Sequence, residues 1–417
     1  KQKTAYEIGT TTVVCYLLDG ISGEELAKES ILNPQTAYGA DVISRIEYVL
    51  KNHSSELQDC ITHILASLAV KAAAKAGIPL SEITLACVVG NTAMHHLFLG
   101  IDPSPLTVPP YMPKVSNAME IPAAPLLPIH PEGRIRILPN IAGFVGADTV
   151  ACMVSVHFDQ LDELTLIIDI GTNGEIVLTC RQEIWCCSCA AGPALEGMNI
   201  SSGMRAAEGA IEDVKITEEG VQFRVIGEEE PIGICGSGIL AVVKELLRVG
   251  LIRKEGAFIK LKQLEETDYR YPMLQLDGIK REFIMTEKPQ KLLITQGDVR
   301  QVQLAKGAIL SGFIALLNKA GIRMEDLDKV MIAGQFGAHL PADSLVGTGI
   351  LPKEVEDKLV YVGNSSKTGA YMALMSSKVK AEMEELASYM DYMELGATEG
   401  YERLFSDCLI FPDIAEQ

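Results

Sequence analysis

Two turns of closely matching chemistry, centred on Gly9 and Gly171, constrain this chain more than any other feature. The first reads Tyr6-Glu7-Ile8-Gly9-Thr10-Thr11-Thr12-Val13. The second reads Ile168-Asp169-Ile170-Gly171-Thr172-Asn173-Gly174-Glu175-Ile176-Val177. Each is flanked by apolar runs, which predicts a β-hairpin around a tight turn. Glycine lets the backbone come close to a ligand, and turn amides and hydroxyls supply hydrogen-bond donors, as polyphosphate binding requires. A carboxylate entering the turn can hold magnesium or a water. Two such turns, one per lobe, predict a cleft that grips a nucleotide from two sides.

Composition narrows the partners. With 417 residues, 48% of them apolar, the chain is long enough for two lobes. A net charge of −19 argues against nucleic acid and anionic membrane surfaces. No apolar run reaches the length of a membrane-spanning helix, and no signal peptide opens the chain. The first residue is Lys and a strand follows at once, so a fragment or a processed chain without its upstream part is expected. The ten cysteines are mostly scattered in apolar contexts, a pattern that points to the cytoplasm. Only Cys186-Cys187-x-Cys189 is clustered. Lacking a second pair, it reads as buried thiols rather than a metal site.

The hairpin at 4–18 is followed by a strand at 25–32 and helices at 40–51 and 56–76, the latter closed by Gly77. A strand at 83–89 enters a helix that Asn91 or Thr92 caps. Ten of the nineteen prolines fall in residues 101–140, which therefore read as an irregular excursion outside the core. A helix opens at Gly146, and Ala190 to Gly197 reads as a loop feeding another helix. Strands are expected over 214–226, and a helix over 236–249. The longest helix is expected at 298–319, followed by a strand at 330–333. A last strand at 360–362 enters a further helix.

The order of these features resembles the ATPase superfamily of acetate and sugar kinases, heat-shock chaperones and actin (ASKHA). The resemblance implies an α/β, two-lobed fold with duplicated mixed-sheet lobes. The lobes are expected at 1–160 and 161–364, with C-terminal helices at 365–417 packing back on the first. It implies ATP and Mg²⁺ as ligands. Gly9, Thr10, Thr11 and Thr12 would form the first phosphate loop, and Gly171, Thr172, Asn173 and Gly174 the second. Gly192, Glu196, Gly236 and Ser237 would line the nucleotide, and Gly334, Gln335, Phe336 and Gly337 would form the adenosine turn. Asp169 and Glu7 would hold the metal, although Glu7 stands where many members have Asp. Asp169, Asp148 and Glu175 are the candidate catalytic carboxylates. Each has a plainer alternative: a turn acid for Asp169, a helix cap for Asp148 and an exposed strand position for Glu175. His95 and His96 adjoin on one helix and cannot share a face. Gln303 and Lys306 either reach the nucleotide or belong to the core.

Further strings narrow the family. They are Asn33-Pro34-Gln35 with Tyr38-Gly39-Ala40-Asp41-Val42-Ile43-Ser44-Arg45-Ile46, Gly90-Asn91-Thr92-Ala93-Met94-His95-His96, and Ala191-Gly192-Pro193-Ala194-Leu195-Glu196-Gly197. Gly203-Met204-Arg205-Ala206, Gly233-Ile234-Cys235-Gly236-Ser237-Gly238 and the run from Thr295 to Lys306 complete the set. Together they resemble the ATPase part of the reductive activators of corrinoid proteins, including those of corrinoid O-demethylase systems. That resemblance implies ATP-dependent reduction of cob(II) to cob(I) on a partner corrinoid protein, and a homodimer. Members usually carry a [2Fe–2S] ferredoxin domain, a linker and a small middle domain before the ATPase part, and all three are expected to be absent here. A small-molecule kinase and a 2-hydroxyacyl-CoA dehydratase activator are the alternatives on the same fold.

Overall fold

The computed structural model describes residues 2–180, 183–334 and 337–413. The first hairpin pairs β1 (Gln2–Ile8) with β2 (Thr12–Leu18), Ile8 facing Val13 across the turn. Tyr6, Ile8, Val13, Cys15 and Leu17 are fully buried, so the hairpin is interior rather than a surface flap. β3 (Glu25–Leu32) adds to β2 with alternating exposure, the mark of a sheet with one wet face. Helix α1 (Val42–Asn52) starts at a capping box between Asp41 and Ser44. Helix α2 (Glu56–Ala76) ends at Gly77 in the left-handed region, as the sequence predicts.

β4 (Ile83–Gly90) runs parallel to β1 and leads into α3 (Thr92–Leu99), whose cap is Asn91. The proline-rich stretch departs from expectation. Its second half supplies β5 (Met119–Pro122) and β6 (Arg134–Ile137), and β6 lies beside β4 with Ile135 and Ile137 fully buried. The signal was local: Arg134-Ile135-Arg136-Ile137 is a proline-free alternating run inside an otherwise broken segment. The resulting mixed sheet has the order β3-β2-β1-β4-β6-β5. Helix α4 (Ala147–Ser155) follows.

The same plan recurs. β7 (Thr165–Ile170), β8 (Gly174–Cys180) and β9 (Glu183–Cys189) repeat the three-strand opening. Ala190 to Gly197 does not feed a long helix. It makes a single short turn over Pro193–Glu196 that Gly197 stops at φ +81°. Strands β10 (Ala210–Thr217), β11 (Gly220–Val225) and β12 (Gly233–Ile234) form one small sheet, followed by helix α5 (Gly236–Arg248). Strands β13 (Leu274–Asp277), β14 (Lys280–Thr286) and β15 (Leu292–Thr295) form another, followed by α6 (Gln296–Ala320). β16 (Lys329–Ala333) pairs parallel to β7. After α7 (Ala342–Gly347) come β17 (Leu359–Gly363), α8 (Ser365–Met375), α9 (Ser377–Tyr389), β18 (Asp391–Tyr392) and α10 (Tyr401–Asp407). The second large sheet has the order β17-β16-β7-β8-β9-β18. The series β3-β2-β1-β4 and β9-β8-β7-β16 are the same motif used twice.

The chain divides into two compact units. One comprises 1–164, 177–187 and 362–393, and the other 165–176, 188–361 and 394–417. Within the first, α8 crosses α4 so closely that a Cβ on Gly369 would lie 1.9 Å from the carbonyl oxygen of Ala151. Helix propensity alone favours Ala over Gly by about 1 kcal/mol. The Gly369→Ala variant is nevertheless expected to be less stable, by about 2 kcal/mol or more, because backbone must move to admit the methyl. Urea denaturation of the two proteins checks this, and a more stable variant would contradict it.

Candidate functional site

In the first unit the turn at Gly9 is closed by its own N–H donating to the Thr12 carbonyl at 2.9 Å. A Cβ there would meet the same oxygen at 2.7 Å, so only glycine fits. Thr10 and Thr11 are buried, and Gly9 and Thr12 are half-buried. Asn33 donates from Nδ2 to the Gly9 carbonyl at 2.8 Å, and Arg45 from Nη2 to the Thr10 carbonyl at 2.6 Å. Asn91 donates from Nδ2 to Thr10 Oγ1 at 3.0 Å.

Glu7, at the end of β1, accepts a hydrogen bond from Asn364 Nδ2 at 3.1 Å. Burial pushes its carboxyl above the usual range; the Asn364 bond and the charges of Lys28 and Lys367 partly oppose this. Asp148 lies in the first turn of α4, which is capped by Gly146 and not by Asp148. Its Oδ1 accepts from the Thr149 amide at 2.9 Å. Burial raises Asp148 to about 6; the amide bond opposes the rise and the nearby charge of Glu7 adds to it. Ser366 donates to the Asp148 carbonyl at 3.0 Å and ties α8 to the same point. Glu7, Asp148 and the α8 N-terminus therefore form one acidic cluster. Both carboxyls are half-buried and held above the usual carboxylate range, a pattern shared by proton-handling sites and structural ion clusters.

In the second unit Asp169 ends β7, and Gly334 lies against it. A Cβ on Gly334, which has φ +92°, would sit 2.4 Å from Asp169 Oδ1. Gly337 packs near Ile170, and Gln335 and Phe336 lie outside the described residues. Gly171 N–H donates to the Asn173 carbonyl at 3.1 Å, which shapes the turn. Thr172 donates from its hydroxyl to Glu196, and its carbonyl accepts from the Gly192 amide at 2.8 Å. Asn173 is half-buried. Gly236 is where α5 touches this group: a Cβ there would lie 1.8 Å from the Leu195 carbonyl. Ser237 Oγ lies 3.3 Å from Cys235 Sγ. Thus Gly171, Thr172, Gly192, Glu196 and Gly236 gather in one place. Gly174 packs against Cys189, whose thiol donates to the Gly174 carbonyl at 3.1 Å. Glu175 is half-buried and accepts from Ser188 Oγ at 3.4 Å, so it is not simply a solvated strand position.

The proposed metal pair is thus divided, Glu7 in one unit and Asp169 in the other. Among the described residues no three His, Cys, Asp or Glu side chains converge on a metal-sized site. A lone carboxylate beside each turn fits the donor chemistry of magnesium, which keeps several waters in its shell.

Other candidates resolve as structure. His96 Nδ1 donates to the Thr92 carbonyl at 2.8 Å, and Nε2 accepts from the Lys114 amide at 3.1 Å. Burial lowers His95 to about 4 and so holds it neutral. Cys186, Cys187 and Cys189 are buried, and burial raises Cys189 to about 12. Lys306 donates to the Cys408 carbonyl at 2.6 Å, and Gln303 donates to the carbonyls of Glu255 and Leu409 at 3.1 Å each. Sequence reasoning assigned no role to Asn33, Arg45 or Asn364. A signal existed for Arg45, a cation set within the apolar stripe Val42, Ile46 and Val49 of α1. Among the described residues no helix is long and apolar enough to cross a membrane.

Comparison with known proteins agrees with this architecture. Residues 163–417 match the family model described as the C-terminal domain of RACo, the ASKHA domain. Residues 3–161 match the RACo middle region, which corrects the expectation that the family's middle part is absent. The corrinoid activation enzyme RamQ of Eubacterium limosum is 38% identical over 403 residues, covering 94% of this chain and 67% of that protein. A reductase of Methanosarcina barkeri, specific for a Co(II) methylated-amine corrinoid protein, is 30% identical over 297 residues, covering 65% and 50%. A solved structure of a reductive activator for a corrinoid, iron–sulfur protein superposes with a TM-score of 0.90 at 36% identity, covering 99% of this chain and 66% of that one. The chain thus spans between half and about two-thirds of the length of these relatives. It belongs to the family of reductive activators of corrinoid proteins and carries their ASKHA domain.

Proposed function

We propose that this chain is the ATP-hydrolysing and partner-binding part of an enzyme that reduces cob(II) to cob(I) on a corrinoid protein. One observation carries this reading: the chain follows a reductive activator over 99% of its own length at 36% identity. The energetic logic supports it. Reduction of Co(II) to Co(I) takes one electron, which an iron–sulfur donor outside these residues would supply and which would leave that donor oxidised. For one electron, about 59 mV is a tenfold change in equilibrium. A step uphill by several such intervals needs coupling to ATP + H₂O → ADP + phosphate. That coupling works only if the ATP-bound and ADP-bound forms differ in affinity for the partner in its two cobalt states.

In this reading each turn holds phosphate in its own unit, the first through Thr10, Thr11 and the turn amides and the second through Thr172. Glu7 in the first unit and Asp169 in the second would each serve as a carboxylate for magnesium, which would offset phosphate charge. Asp148 orients the attacking water. A carboxyl of pKa about 6 is ionised at neutral pH yet basic enough to take a proton from that water. Glu175 and Ser188 steady the strand behind the second turn. The working unit is taken to be a cytoplasmic homodimer, which sedimentation would test, and O-demethylase corrinoid proteins are the natural first partners to try.

Two outcomes follow. Asp169→Ala is expected to lower ATP hydrolysis at least about a hundredfold, and Co(I) absorbance should appear in the wild type only with both ATP and a reduced iron–sulfur donor. Full hydrolysis by the variant would remove Asp169 from the site, and Co(I) formation indifferent to ATP would end the functional reading. The Asp148 carboxyl makes a separate prediction. Its pKa is raised from 3.8 to about 6 on folding, so the folded state bears no penalty below pH 3.8, an increasing one up to pH 6 and a constant one above. Asp148→Asn should therefore be more stable than wild type at pH 7, by on the order of 2 kcal/mol, and equally stable near pH 4. Thermal unfolding at both pH values reads this out.

A further inference from the structure

The strings around Asn33, Arg45 and Asn91 have no part in the chemistry above, yet all three side chains reach the first turn. Asn33 and Arg45 are fully buried, and Asn91 nearly so. Their donors end on consecutive acceptors of the turn: Gly9 O at 2.8 Å, Thr10 O at 2.6 Å and Thr10 Oγ1 at 3.0 Å. The cis peptide bonds all precede proline, so the turn's own peptides are trans. In a trans peptide the carbonyl and the following N–H point in opposite directions. A Gly9 carbonyl drawn toward Asn33 therefore turns the Thr10 N–H away from it. A Thr10 carbonyl drawn toward Arg45 does the same to the Thr11 N–H. Successive amides turned outward form an anion-binding nest. Thr10 Oγ1 accepts from Asn91, so its own proton is directed elsewhere.

We propose that Asn33 and Arg45 are positioning residues that hold the Thr10 and Thr11 amides toward the phosphates of the bound nucleotide, with Asn91 setting the Thr10 hydroxyl. The proposal rests on the ATP reading of this turn. The charge of Arg45 supports it independently. Among the described residues its guanidinium hydrogen-bonds to neutral atoms, namely the carbonyls of Gly39 and Thr10 and the sulfur of Met94, and the Asp41 carboxylate acts on it only through space. Burying a cation without a carboxylate at hydrogen-bond distance is costly. An anion on the far side of the turn would add to the through-space charge of Asp41, and the field between it and Arg45 is weakly screened in a buried setting. An apolar side chain of similar length would fill the space but do neither task.

The test compares MgATP and adenosine binding by calorimetry in the wild type and in Asn33→Ala, Arg45→Met and Arg45→Lys. Loss of a charge-assisted bond predicts an ATP dissociation constant about ten- to a hundredfold higher in Arg45→Met, with adenosine changed less than about twofold. Asn33→Ala should weaken ATP in the same selective way, and Arg45→Lys should recover part of the loss. A merely structural role would weaken both ligands together or neither, and either result overturns the proposal. If the wild type binds MgATP no better than adenosine, the ATP reading of the turn fails and takes the proposal with it. Should Arg45→Met not fold, hydrogen exchange over residues 8–13 of the wild type decides. Protection by MgATP but not by adenosine supports the proposal, and equal exchange with both refutes it.

Discussion

Everything in the first unit depends on a line of backbone contacts that leaves no room for a methyl group. A Cβ on Gly90 would meet the Ile8 carbonyl at 2.7 Å, and one on Gly146 would meet the Gly90 carbonyl at 2.6 Å. Midway along the helix that Gly146 opens, Ala151 meets Gly369. β1, β4, α4 and α8 are thereby stacked main chain to main chain. Thr92 fastens the stack by donating to the Ala142 carbonyl at 2.5 Å. Glu7 at the end of β1 and Asp148 at the start of α4 ride on this stack and are half-buried, each carboxyl raised chiefly by its own desolvation. Packing at native density leaves little freedom for such a stack to slide.

Much of this was legible. The Gly-Thr turns predicted both hairpins and their duplication, since a turn demanding glycine between apolar runs has few other solutions. Gly77 and Gly321 marked helix ends because only a left-handed residue closes them cheaply. The β6 strand escaped notice because proline frequency was averaged across the whole excursion, whereas strand formation is decided over four residues. The short turn at Pro193–Glu196 was overread as a helix start for the opposite reason. Its local signals were correct, and Gly197 in the left-handed region ended it, at a place where the Met204 carbonyl leaves no room for a Cβ.

The candidate site was legible in part. Acidic residues at strand ends could be named from sequence, because each directly precedes a glycine turn between apolar runs. What surrounds them could not, since Asn33, Arg45 and Asn364 come from segments whose approach is decided by the fold. Asn364 is instructive. Its Oδ1 caps α8 through the Lys367 amide, while its Nδ2 holds Glu7. The longer reach of Glu compared with Asp is thus matched by a donor from another helix.

The C-terminal segment of the second unit is held in a different currency. Lys306 and Gln303 bind the carbonyls of Cys408 and Leu409, and the Phe411 amide donates to the Lys254 carbonyl at 2.8 Å. These contacts recognise main chain and ignore side-chain identity. Only Cys408 and Phe411 are buried, whereas Ile410 is 48% exposed. The shape of this tail is therefore held largely through its backbone. Ile410 is open to substitution, whereas Leu409 packs on α6 so closely that a Cβ on Gly307 would lie 2.7 Å from its Cδ2.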